Sequence, residues 1–148
     1  MIDSHCHLYF ESIKNDFKKI IENAKNNKIK CILSINTDPF DFENHYNLIK
    51  DYKSIFISYG QHPGNVKKNN IITLDNFLKF SNYEKVIGIG ETGLDYYHSK
   101  ENKNEQIKSF ENHIECSYSN NLPLIIHQRD SENDLIDIIK NYHNKNPL

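Results

Sequence analysis

Histidines and one glutamate stand at the ends of several strand-like segments of this chain. His5 and His7 follow its first apolar residues, Glu91 follows the glycine-flanked apolar run 86–90, and His127 follows another apolar run. Residues i and i+2 of a strand point to the same face, so His5 and His7 can reach one ion. A carboxylate such as Glu91 can bridge two ions about 4 Å apart. These residue types predict one divalent-metal site that receives ligands from several strand ends.

Each of these residues also has a plainer interpretation. The histidine pair could be two polar residues at a strand end, and Glu91 could be a salt-bridged or hydrogen-bonded core carboxylate. His127 could be a core histidine that bonds a backbone carbonyl. The metal interpretation gains weight from the whole set, which includes His62 at the end of a further strand-like run. Catalytic groups of β/α barrels gather at the carboxyl ends of the strands.

Three other residues are candidates for contact with a substrate. His62 stands before Pro63, where it could contact substrate, transfer a proton or simply order the turn. Asp95 could organise the loop after Glu91, orient a histidine or cap the loop. Arg129 could bind a phosphate in a bidentate manner, or pair with Asp130 at the start of a helix.

Apolar periodicity predicts five strands that alternate with amphipathic helices, and no domain boundary interrupts residues 1–148. Strict alternation of this kind predicts an α/β fold with a parallel sheet and helices outside it. A closed parallel barrel needs about eight such units and about 250 residues. We therefore expect an open sheet or an incomplete barrel of the (β/α) type. All five predicted strands are expected to be buried, and helices are predicted over residues 13–24 and 74–80, among others. The predicted strands cover residues 1–7, 29–35, 54–59, 86–90 and 124–126.

Composition narrows the functional classes. The net charge is −2, so no basic field supports non-specific binding to nucleic acid. The three cysteines form no CxxC pair, which favours a reducing compartment over a disulfide framework. No leader segment is visible, and the apolar runs are far shorter than the roughly 20 residues that span a bilayer. We expect a cytoplasmic protein without membrane contact.

Four motifs in this order resemble the TatD family of metal-dependent deoxyribonucleases, within the amidohydrolase-like barrels. Gln106 and Phe110 also match the helix that precedes the fifth strand in that family. The resemblance implies a TIM-type parallel (β/α) barrel, here incomplete, with about five of eight β/α units. The motifs are residues 2–8, 60–63, 87–96 and 122–130.

The same resemblance implies a ligand set. His5 and His7 would bind the first divalent ion, Glu91 would bridge both ions, and His127 would bind the second. The family completes this site with a histidine after the sixth strand and an aspartate after the eighth, which have no counterpart here. The chain thus resembles the N-terminal five-eighths of a family member, truncated at its C-terminal side.

The resemblance further implies hydrolysis of DNA phosphodiester bonds, from the 3′ end, by water that two divalent ions activate. Mg²⁺ or Mn²⁺ suits the carboxylate, and the histidines also admit Zn²⁺. Glu91 and His62 are the predicted catalytic residues, and His62, Asp95 and Arg129 the predicted substrate-binding ones. The alternatives are another HxH amidohydrolase or phosphoesterase acting on a small ester or amide, and a catalytically inactive fragment. Open sheet edges predict self-association or binding of a complementing C-terminal fragment.

Overall fold

Five parallel strands form one sheet, in the order in which they occur along the chain. The structure is a computed structural model that describes residues 1–80 and 83–145. The strands are β1 (Ile2–Cys6), β2 (Cys31–Ser34), β3 (Ile55–Tyr59), β4 (Val86–Asp95) and β5 (Leu124–Arg129). Sequential order with a helical connection after each strand is the arrangement of a (β/α) barrel. The predicted fold class, an incomplete parallel (β/α) barrel with about five of eight units, is confirmed.

Six α-helices among the described residues connect or follow the strands. The predicted helix over residues 13–24 is divided into α1 and α2, because Asn15 and Asp16 interrupt it; such side chains compete with the helical backbone for hydrogen bonds. No helix of the described residues is long and apolar enough to cross a membrane. The helices are α1 (Glu11–Lys14), α2 (Phe17–Asn26), α3 (Phe42–Ile49), α4 (Leu74–Phe80), α5 (Lys103–Asn120) and α6 (Glu132–Lys145), with short 3₁₀ turns at Pro39–Asp41 and Pro63–Asn65.

Strand β4 is longer than the sequence predicts. The expected strand ended at residue 90, but the chain pairs again with β5 as far as the pair of Asp95 with Arg129. The ladder is irregular between Ile89 and Thr92, where Gly90 has a φ of +136° that favours glycine. A Cβ atom at Gly90 would lie 2.5 Å from the carbonyl oxygen of Ile125. The glycines therefore serve close approach of β4 to β5 and do not end the strand.

Burial differs between the middle and the edges of the sheet. Strands β3 and β4 are largely buried, as predicted, whereas the edge strands β1 and β5 are largely exposed. Ile2 is 67% exposed and Ile126 is 41% exposed. The expectation that every strand is buried was wrong for these two, because each pairs on one side only within the described residues. The predicted association stays a prediction.

Two apolar clusters hold the strand ends in place. The larger one packs aromatic side chains such as Phe42, Tyr59 and Phe77 against the sheet. The smaller one joins Leu94 of β4 to Phe110 of α5 and Leu135 of α6, with Tyr96 at its rim. Burial of each such side chain contributes about 1.5–3 kcal/mol. The smaller cluster thus fixes the carboxyl half of β4, which carries Glu91 and Asp95.

Candidate metal site

The histidine pair and Glu91 meet on one face of the sheet. The Nε2 atoms of His5 and His7 both lie 3.7 Å from Oε2 of Glu91. Both imidazoles therefore reach the same carboxylate oxygen, as the i, i+2 spacing predicts. Burial lowers the pKa of His7 and outweighs the opposing effect of the Glu91 carboxylate. His7 is thus neutral near pH 7, the form in which an imidazole binds metal.

The other oxygen of Glu91 faces a second imidazole. Oε1 lies 3.4 Å from Nδ1 of His127, and Glu91 is only 7% exposed. These nitrogen–oxygen separations exceed the usual hydrogen-bond range. They resemble the separation of two ligands that each lie about 2.1 Å from a shared ion, which is about 3–3.5 Å. The donor set thus fits two ions, with Glu91 common to a group with His5 and His7 and to a group that includes His127.

Asp95 lies behind His127. Its Oδ2 atom is 3.2 Å from Nε2 of His127 and 2.8 Å from Nδ1 of His98. Its Oδ1 atom accepts hydrogen bonds from the backbone amides of Tyr97 and His98. The side-chain amide of Gln106 bonds the backbone of Asp95 in both directions, at 2.8 and 3.1 Å. Asp95 is therefore held rigidly, with both oxygens engaged.

These contacts decide the charge and the role of Asp95. Burial alone would raise its pKa, but hydrogen bonds from the side chain and amide of His98 and from His127 lower it to about 2. The ionised carboxylate therefore accepts a hydrogen bond from Nε2–H of His127 and leaves the Nδ1 lone pair of His127 directed at Glu91. This arrangement suits orientation of a ligand, one of the roles that the sequence left open. The predicted contact of Asp95 with substrate stays a prediction.

The protonation of His62 follows from its neighbours. Its Nδ1 atom accepts the backbone N–H of Gly64 at 3.0 Å, so the proton of the neutral ring is on Nε2. Nε2 lies 3.2 Å from Nδ1 of His127. Burial, followed by the neighbouring His127, lowers the pKa of His62 to about 4. His62 is close enough to Glu91 and His127 to join their ligand group, yet this tautomer suits it better as a hydrogen-bond donor.

Arg129 occupies the end of β5, two residues after His127. Its guanidinium carbon lies 3.8 Å from the centre of the Tyr97 ring, so the two groups stack as a cation–π pair. Arg129 is exposed. Its predicted role in binding phosphate stays a prediction.

The backbone of the loop after β2 accepts hydrogen bonds from two site residues, although the loop supplies none of the predicted ligands. The amide of Glu91 donates to the carbonyl of Asn36 at 3.0 Å, and the amide of His62 donates to the carbonyl of Thr37 at 3.0 Å. The amide of Asn36 in turn donates to the hydroxyl of Ser58 on β3 at 3.0 Å. The backbone at residues 36 and 37 therefore fixes Glu91 and His62 relative to each other.

A cavity of about 480 Å³ opens onto these side chains. Its size falls within the range of small-molecule sites. Its wall consists of His7, Phe10, Thr37, His62, Asn65, Glu91 and His127. A separate cavity of about 490 Å³ between α5, β5 and α6 is mainly apolar and contains none of the candidate ligands. The candidate metal ligands therefore lie at the first cavity and not at the second.

Sequence reasoning assigned no role in the site to three residues of this region. His98 bonds Asp95, Gln106 supports Asp95 from α5, and Phe10 stacks on His7. The i, i+3 spacing of Asp95 and His98 was a usable signal. The contribution of Gln106 could not be read from spacing, because it depends on how α5 packs against β4.

Comparisons with known proteins agree with the resemblance noted in the sequence. The model of the family described as TatD related DNase matches residues 2–147. An uncharacterized metal-dependent hydrolase of Buchnera aphidicola (subsp. Baizongia pistaciae) is 38% identical, over 98% of this chain and 56% of its own length. The putative deoxyribonuclease tatdn3 of Danio rerio is 30% identical, over 94% of this chain and 57% of its own length.

A solved structure supports the fold. The crystal structure of YjjV, a TatD homologue of Escherichia coli K12, superposes with a TM-score of 0.86 over 96% of this chain and 56% of that one. Its sequence identity is 24%, so the likeness supports the fold alone. The chain spans about half the length of the curated relatives it matches.

Proposed function

Because the chain belongs to the family of TatD related DNases, we propose that its site binds two divalent ions and hydrolyses phosphodiester bonds of DNA from the 3′ end. One observation carries the proposal. The two oxygens of Glu91 face different imidazole groups, with Oε2 toward His5 and His7 and Oε1 toward His127. The names of relatives, metal-dependent hydrolase and putative deoxyribonuclease, support the same chemistry.

Different residues of the chain would hold the two ions. His5, His7 and Glu91 would hold one ion, and Glu91 with His127 would hold the other. Bound divalent ions would supply Lewis acidity and a nucleophilic water at neutral pH. Mg²⁺ or Mn²⁺ suits the carboxylate, and Zn²⁺ also suits the imidazoles.

His62 would act on the substrate. In the structure its Nε2–H group points at Nδ1 of His127. If the lone pair on Nδ1 of His127 binds an ion, the Nε2–H group of His62 loses its acceptor and becomes free to donate to a phosphate oxygen. This hydrogen bond would serve the predicted contact with substrate, and the predicted transfer of a proton by His62 stays a prediction.

The test is degradation of end-labelled single-stranded DNA by the purified chain with Mg²⁺ or Mn²⁺ and with a chelator. We expect metal-dependent cleavage that Glu91→Gln lowers by more than about 100-fold, because a bridging ligand loses its charge. Glu22→Gln, which changes an exposed glutamate on α2, is the matched control. Labels at the 3′ and at the 5′ end distinguish the direction of degradation.

Cleavage that survives the chelator or Glu91→Gln would contradict the proposal. Absence of cleavage by a folded chain would contradict it as well, and would favour the inactive-fragment alternative. Turnover of a small ester or amide, with DNA left intact, would favour the other hydrolase alternative.

A further inference from the structure

Phe10 lies on the wall of the cavity that contains Glu91. Its ring stacks on the imidazole of His7, with centroids 4.4 Å apart and planes inclined by 13°. Despite this contact Phe10 is 47% exposed. An exposed aromatic side chain is common on protein surfaces and carries no meaning by itself. What distinguishes Phe10 is its place, since it borders the candidate metal ligands.

The rest of the cavity wall is polar. Thr37 and Asn65 join the histidines and Glu91, and none of the described residues on the wall is a lysine or an arginine. The wall therefore offers one large flat apolar surface beside a group of metal ligands. A ligand that fits both features carries a phosphate and, next to it, a planar ring system. A nucleotide unit has this composition.

We infer that Phe10 is the stacking surface for the nucleobase that adjoins the reacting phosphodiester bond. The inference rests on the proposed function and deepens it, because it assigns the residue that would bind the base next to the reacting phosphate. Such binding needs a strand whose bases are free to stack. Every base presents a π face, so recognition by Phe10 would tolerate any sequence. The ring's contact with His7 holds it in place beside the metal ligands, so that base and phosphate would be bound together.

A purely structural role for Phe10 predicts a different outcome. If Phe10 only orients the imidazole of His7, its removal weakens the metal site and lowers the affinity for every phosphodiester strand by the same factor. If Phe10 binds a base, its removal selectively lowers the affinity for strands that carry bases. An abasic strand separates the two roles.

The experiment measures binding of two labelled pentamers by fluorescence anisotropy in Mg²⁺. One is pentathymidylate and the other its abasic counterpart, both with phosphorothioate linkages that slow hydrolysis. We expect the full chain to bind the thymidylate about 5- to 150-fold more tightly, the range that stacking of one base supports. Phe10→Ala should abolish this preference and Phe10→Trp should keep it. Phe40→Ala, which removes a 59% exposed phenylalanine outside the cavity wall, should leave it unchanged.

Three outcomes would overturn the inference: a preference that survives Phe10→Ala, an equal loss for both strands, or no binding of either strand. The cleavage assay on the same samples separates this inference from the proposed function. Cleavage with a base preference that ignores Phe10 refutes the stacking role alone. Base-dependent binding through Phe10 without cleavage refutes only the hydrolytic function.

Discussion

Replacing Asp95 by asparagine should weaken metal binding at His127 while the fold survives. The new amide oxygen can still accept the backbone amides of Tyr97 and His98, which donate to Oδ1 at 3.1 and 3.0 Å. The amide nitrogen then occupies the Oδ2 position, 3.2 Å from Nε2 of His127. Because two donors cannot face each other at Nε2, we expect the ring of His127 to move its proton to Nδ1. There it can face Oε1 of Glu91 at 3.4 Å, and the Nε2–H group of His62 loses its acceptor. The lone pair directed at Glu91 is lost.

The expected magnitude follows from the role of Asp95 as a partner of a ligand. Loss of such a partner costs roughly 10- to 100-fold in metal affinity, or about 1.4–2.7 kcal/mol. Of the two ion sites proposed above, only the one that includes His127 should bind Mn²⁺ more weakly, because Asp95 contacts His127 and not the pair His5 and His7. The free energy of unfolding should fall by about 1–3 kcal/mol, since a buried charge-assisted hydrogen bond is replaced.

Calorimetric titration with Mn²⁺ gives both binding steps, and ¹⁵N chemical shifts report which ring nitrogen of His127 carries the proton. Asp134→Asn is the matched control. The Asp134 carboxylate is likewise bonded by two side chains, the hydroxyl of Tyr96 and the ammonium of Lys103, but both of these lie outside the histidine cluster. That variant should bind both ions as the unmodified chain does.

Two results would refute this reasoning. The first is an Asp95→Asn protein that binds both Mn²⁺ ions with unchanged affinity. The second is a proton that remains on Nε2 of His127 in that variant. Either would mean that Asp95 does not set the tautomer of His127.

Two further predictions follow from the structure. Gly93→Ala should lower the free energy of unfolding, measured by urea titration, by more than about 2 kcal/mol, because Gly93 has a φ of +135° and a Cβ atom would overlap the carbonyl oxygen of His127. Gly64→Ala should lower it much less, because a Cβ atom there would have its nearest neighbour, Nδ1 of His62, at 3.2 Å. Equal losses of stability in the two variants would contradict this explanation. Burial lowers the pKa of His113 from 6.5 to about 4. As the pH falls, His113 is therefore protonated in the unfolded chain before it is protonated in the folded one. The free energy of unfolding should consequently fall by up to about 3 kcal/mol as the pH drops from 6.5 through 4. His113→Gln should flatten this part of the pH profile, the exposed His143→Gln should not, and an unchanged slope in His113→Gln would refute the assignment.

Much of the fold was predictable because the spacing of apolar residues differs between helices and strands. The predicted helix over residues 74–80 has the same bounds as α4, and the five strands occur where alternation with helices placed them. The extent of β4 was not predictable in the same way. Gly90 and Gly93 read as the end of a strand, and only the pairing of Thr92–Asp95 with β5 shows that the strand continues.

The candidate site, like the fold, could be predicted from the sequence only in part. The convergence of His5, His7 and Glu91 follows from strand geometry and could be predicted from spacing. The tautomer of His62 could not, because it depends on a hydrogen bond from the backbone of Gly64. Local spacing cannot report hydrogen bonds whose partners the tertiary fold brings together.

The hydrogen bonds from Glu91 and His62 to the loop after β2 restrict which sequence changes this loop can tolerate. Its two contacts to Glu91 and His62 come from the backbone carbonyls of Asn36 and Thr37, which any residue can offer. Substitution at position 37 should therefore be tolerated. Insertion or deletion of one residue between Ser34 and Pro39 would shift both carbonyls and misplace Glu91 and His62, two candidate site residues, although neither has been altered. In this loop the length of the chain, more than the chemistry of its side chains, is under constraint.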